Sequence, residues 1–154
     1  MKYADIKATV NDLLYSKYPE SEYTIYGKEV KEGYDTPAFF TEIIDGGSHN
    51  ESKNYAQGRF IVQITYFQKV KSELDQLNKA DEIKELFGLY LSIGNRRLGI
   101  KEFSYDFVGE YSDILQISVD FEYYENTKKE DTSEKATELD LAIRKEQEDG
   151  CTEY

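Results

Sequence analysis

Asp120 and Glu122 stand two residues apart in the alternating run Leu115 to Tyr123, so an extended backbone sets both carboxylates on one face. Paired carboxylates of this kind are what a glycosidase-type hydrolase uses as acid and base. Alternating polar residues are also what any solvated sheet face requires, and Gln116 and Ser118 complete that simpler pattern. His49 is the only histidine, which excludes a Ser-His-Asp triad or a histidine-rich metal site within one chain. It lies in a polar stretch with no second group to orient it and reads as a solvated loop residue. Cys151 sits in an acidic C-terminal stretch without the positive surroundings that make a reactive thiolate, and alone it forms no internal disulfide. Gly46-Gly47-Ser48 lacks the strand, glycine spacing and lysine of a phosphate-binding loop. No catalytic, cofactor-binding or metal-ligating residue is therefore assigned, and no cofactor is expected. The chain advertises surfaces.

The chain has 154 residues, within the roughly 100–200 typical of one domain. Its formal charge is −12, and the five basic and nine acidic residues from Asn126 onward leave the rest at −8. An acidic balance argues against a protein that grips nucleic acid through lysine and arginine, and against anionic membranes. No apolar run approaches the roughly 20 residues of a spanning helix, and Met1-Lys2-Tyr3-Ala4-Asp5 leads into an amphipathic helix instead of a signal peptide. An intracellular, soluble protein is expected.

Ile6, Val10, Leu13, Leu14 and Tyr18 fall on one helical face, and Pro19 stops the helix. A short strand is expected within Tyr23 to Val30, and another from Ala38 to Ile44. The polar stretch Gly46 to Gly58 joins two β-patterned runs and reads as a long hairpin loop or a projecting arm; long loops of this kind are either functional or disordered. Phe60 to Phe67, rich in β-branched and aromatic residues, is expected to be a central strand. Ser72-Glu73-Leu74-Asp75 opens a second helix running to Leu91, with Leu74, Leu77, Ala80, Ile83, Phe87, Tyr90 and Leu91 on its inner face and Gly94-Asn95 as its end. Arg97 to Phe107 reads as two short strands broken near Lys101, and Gly109 to Asp113 as a hairpin turn.

These elements predict an α+β domain over residues 1–125: a mostly antiparallel sheet of four to six strands with two helices on one face. Phe40 or Ile43, Val62, Ile64, Phe103 or Tyr105, Ile117 and Val119 are the expected core. A charged extension follows over 126–154, with a helical stretch near 133–147 where Ala136, Leu139 and Ile143 make a narrow apolar stripe. Such a helix is marginal by itself, so it either docks on a partner or stays unfolded.

Taken in order, Asp35-Thr36-Pro37-Ala38-Phe39-Phe40, Ile64-Thr65-Tyr66-Phe67 and Glu85-Leu86-Phe87 leading to Gly94-Asn95-Arg96-Arg97-Leu98 resemble the small tail terminator family of Gram-positive prophages. The opening Tyr3-Ala4-Asp5-Ile6-Lys7 and the closing Ile117 to Tyr123 strand are similar to that family as well, so the resemblance covers about residues 1–125. It implies a non-enzymatic virion protein that forms a ring, six-membered in the family pattern, on the head-proximal end of the tail tube. The ring stops polymerisation and prepares head–tail joining. The implied partners are copies of itself, the tube protein, sheath and neck or connector proteins, and DNA only as passing cargo. The implied places are the host cytoplasm during assembly and then the tail.

Contact residues are expected on the arm at Ser48, His49, Asn50, Lys53, Tyr55 and Arg59, at the basic turn Arg96 and Arg97, and on the extension at Leu139 and Ile143. Fourteen tyrosines favour an assembling surface only mildly, because tyrosine is equally at home in sheets. Other readings are a different neck or joining protein, an acidic mimic of DNA that inhibits a host enzyme, or a carboxylate hydrolase. Deleting everything after Tyr124 should leave the thermal unfolding midpoint nearly unchanged by calorimetry; a large drop would make the extension part of the core.

Overall fold

The computed structural model of the chain describes residues 2–27 and 33–127, and the expected extension lies outside them from residue 128 on. Its elements run α1 (Tyr3–Lys17), β1 (Thr24–Tyr26), β2 (Ala38–Asn50), β3 (Tyr55–Phe67), α2 (Glu73–Phe87), β4 (Tyr90–Ile93), β5 (Arg96–Val108) and β6 (Ile114–Asn126). The strands form one six-stranded sheet in the order β1-β2-β3-β6-β5-β4. Only β1 and β2 pair in parallel. The α+β architecture with two helices is as expected.

Helix α1 buries Ile6, Val10 and Leu14 completely, and Tyr18 caps it just before Pro19. It touches both β2 and β4, strands near opposite ends of the sheet order, so the sheet curls around it. Phe60, Val62, Ile64 and Tyr66 of β3 and Leu115, Ile117, Val119 and Phe121 of β6 fill the concave face. Phe60 and Phe121 stack with ring centroids 4.9 Å apart. Cutting such a phenylalanine to alanine costs about 3–5 kcal/mol. Val62, Ile64, Ile117 and Val119 are fully buried as expected. On β2, however, the enclosed aromatic is Phe39, and Ile43 packs at the core margin. Phe40 points to the other face, where it meets Tyr26, Tyr34 and Phe67. Phe103 packs against the core, whereas Tyr105 is 48% exposed.

Ser72 caps α2 by accepting the Asp75 amide, as its sequence suggested. The helix ends earlier than expected, at Gly88, whose φ of +64° suits a residue without a Cβ. Gly94-Asn95 is instead the two-residue turn joining β4 to β5, with Gly94 at φ +57° in the glycine-first position of a type II′ hairpin. The buried face of α2 is Gln76, Lys79, Ala80, Ile83 and Phe87, while Leu74 is 70% exposed and Tyr90 47%. Two polar side chains occupy that stripe because partners across the fold satisfy them: the Gln76 amide donates to the Asp113 carbonyl at 2.6 Å. The Lys79 ammonium lies 5.4–5.8 Å from the ring centroids of Tyr18, Tyr23 and Tyr66. The region from Arg97 to Phe107 is one strand, with a register shift between Ile100 and Glu102 where a break was expected.

Around Lys79, the Tyr66 hydroxyl donates to Asp75 at 2.9 Å and the Tyr18 hydroxyl to Glu82 at 2.7 Å. Burial, then these carboxylate acceptors, push both phenols well above their ordinary range. Burial opposes ionisation of Asp75, but hydrogen bonds from Gln68 and Tyr66 and the nearby Lys79 charge outweigh it, so its carboxyl is held below the usual value. A carboxyl that is a stronger acid in the folded state adds stability fully above its unfolded value of about 3.9, and that part is lost as pH falls through the lower folded value. Chemical denaturation from pH 6 to pH 2 should therefore show stability declining below about pH 4, with a shallower decline in Asp75→Asn. An unchanged slope in that variant would remove Asp75 from the acid response.

Candidate assembly surfaces

The stretch 46–58 is an arm, built as a direct continuation of the sheet. β2 runs on to Asn50 and β3 begins at Tyr55, with register shifting between Asp45 and Ser48. Gly47 at φ +86° makes that irregularity possible. β6 follows β3 to the tip, where Tyr55 faces Asn126, so the arm has three strands. Beyond it Thr127 donates its amide to the Asn54 carbonyl at 2.8 Å. Gly58 is needed because a Cβ there would lie 2.3 Å from the Tyr123 ring that covers it. At the root, the Tyr3 hydroxyl donates to Asp45 at 2.7 Å and ties the arm to α1. That bond, then the Gly47 amide, lowers the Asp45 pKa.

No described helix or strand lies over the face of the sheet turned away from the helices, where Tyr34 packs on the rings of Phe40 and Phe67. Register places Glu42, Gln63, Ser118 and Ser104 in one row across four strands, and Phe40, Thr65, Gln116 and Asp106 in the next. Toward the arm the face becomes ionic: Arg59 grips Asp120 through two nitrogens, and Lys101 pairs with Glu122. The Arg59 side chain is 48% exposed, yet the Asp120 side chain is only 9% exposed. The two carboxylates proposed for acid–base work do not share an environment: Asp120 is a buried partner of Arg59, and Glu122 an ion-pair partner of Lys101.

A family model described as "Phage tail terminator protein" matches residues 5–133. The chain belongs to that family. The match reaches eight residues beyond the 125 expected from the resemblance. Membership gives this terminator-family chain a structural role in a phage tail, in contact with other tail components. One solved structure, 12% identical, aligns over 85% of this chain and 99% of its own with a TM-score of 0.51, a likeness of fold alone. No curated protein matches the chain.

Of the contact residues expected in this family member, Ser48, His49 and Arg59 meet in one concavity of about 310 Å³ with Gly46, Gly58 and Glu122. Asn50, Lys53 and Tyr55 lie at the arm tip, all exposed. His49 pairs with Glu51 at 2.7 Å. Arg96 and Arg97 diverge: Arg96 donates to the Tyr124 carbonyl at 2.7 Å and lies 3.6 Å from Glu125, while Arg97 stacks on Tyr90 at 4.9 Å. Leu139 and Ile143 lie outside the described residues. Sequence reasoning missed the exposed Val70, Leu74 and Leu89; the inner face read for α2 joins Leu74 to Ile83, yet nine residues, about two and a half turns, set the two on opposite sides of the helix.

Removing one partner of a buried carboxylate leaves its desolvation uncompensated. Arg59→Ala should lower stability in urea denaturation, and adding Asp120→Ala should recover most of the loss. A loss in the double variant equal to the sum of the losses in Arg59→Ala and Asp120→Ala would mean the pair carries no coupling.

Proposed function

We propose that this chain is a tail terminator: a non-enzymatic subunit that assembles with copies of itself into a ring of six on the head-proximal end of the tail tube, ends tube growth and prepares the joint with the head. The observation that carries this reading is the family match over residues 5–133. Tube subunits stack head to tail and grow without limit unless the open end is capped. A cap needs one surface that continues the tube's contacts and another that does not. The three-stranded arm, with exposed Asn50, Lys53 and Tyr55 at its tip, suits the contact with the tube or a neighbouring subunit. The sheet face turned away from the helices, which no described helix or strand covers, suits the channel side. Glu42, Glu102, Asp106, Asp120 and Glu122 outnumber Arg59 and Lys101 there, so DNA would pass without being held.

Sheath and neck proteins are the further neighbours this role would bring, with assembly in the host cytoplasm preceding a place in the finished tail. Gene deletion followed by electron microscopy of tail lengths tests the reading. Overlong or ragged tails are expected. Tails of normal length that fail to join heads would reassign the chain to joining, and fully normal particles would overturn a tail-terminating role.

A further inference from the structure

Two apolar features lie at opposite ends of α2. At its start, Val70 is 76% and Leu74 70% exposed, forming a knob that follows Lys69 and includes Glu73. At its end, a groove of about 420 Å³ runs between α1, α2 and β4, lined among others by Asp12, Leu13, Leu86, Leu91 and Ser92. Leu74 and Leu86 are twelve residues apart in one helix, about 18 Å at 1.5 Å per residue, so knob and groove are separate surfaces. A chain with a knob on one side and a fitting groove on the other makes heterologous contacts, which close into a ring when the rotation allows. The charges are opposite in sign. Exposed Asp12 in the groove would meet Lys69, and Arg97, stacked on Tyr90 at the groove's β4 side, would meet Glu73.

We infer that the Val70–Leu74 knob of one copy docks into the α1–α2–β4 groove of the next, a contact that rests on the ring reading above. It makes the self-contact one between unlike surfaces, and it leaves the arm and the sheet face turned away from the helices available for tube and channel.

The test uses the full chain with Cys151→Ser, Val70→Cys and Ser92→Cys, assembled into particles and oxidised before non-reducing electrophoresis. A covalent ladder ending at the subunit number of the ring is expected from the double-cysteine chain, and from neither single-cysteine chain. In parallel, Lys69→Glu should reduce ring assembly about tenfold, the effect of losing roughly 1.4 kcal/mol, and adding Asp12→Lys should restore it. This charge pair keeps the test decisive if the cysteine variants fold poorly. A ladder or a rescue supports the contact. Rings that form with neither overturn it and leave the ring reading standing. A chain that stays monomeric even on tube ends overturns both.

Discussion

The ridge of Ile6, Val10 and Leu14 on α1, set into the concave side of the sheet, is the interaction on which the rest of this structure depends. Because α1 reaches strands near both ends of the sheet order, it sets the curl, and the curl decides which face is dry. With both helices on that side, no described helix or strand covers the opposite face, and the arm root is held where Tyr3 meets Asp45. A one-residue slip of β6 against β3 would turn Leu115, Ile117 and Val119 toward water, so the same packing fixes the register that runs out to the arm tip.

Polar groups are buried here under strict terms. Lys79 lies under α2 with tyrosine rings around it and Asp75 and Glu82 within ion-pair distance, and Asp120 lies under Arg59 on the other face. Among the described residues no buried side-chain nitrogen or oxygen lacks a partner. Such clusters add little net stability over an apolar filling, but they are severe on any arrangement that leaves one member unpaired. They favour one docking of α2 on the sheet over neighbouring ones.

Much of the fold was legible because it is local and periodic. The alternation in β6 and the helical spacing in α1 each declare a buried face without reference to the rest of the chain. What escaped depends on distant partners. Gln76 and Lys79 look like surface residues until Asp113 and the tyrosines are brought beside them, and so Leu74 reads as the inward residue in their place. Gly46 to Gly58 reads as either a hairpin loop or a projecting arm, and the choice stays open because glycines and polar residues have poor strand propensity. Its extension comes from pairing with β6 and from the Tyr123 ring lying over Gly58. The arm was legible as a contact region by its position, and the divergence of Arg96 and Arg97 was not, since adjacent strand residues part to opposite faces only once the strand is known.

The arm shares β3 and β6 with the core, and each of those strands is thirteen residues long, about 40 Å at 3.3 Å per residue. Its tip is therefore the far end of a stiff lever rather than a tether. A flexible loop of the same length would lose backbone freedom on meeting its partner, at about 1–2 kcal/mol per residue ordered. This arm has already settled that cost in the fold, so contacts at its tip would go almost wholly into affinity. The same stiffness makes it selective: a partner whose surface is displaced by a few ångströms cannot be reached by bending the tip alone, and would have to tilt the whole subunit.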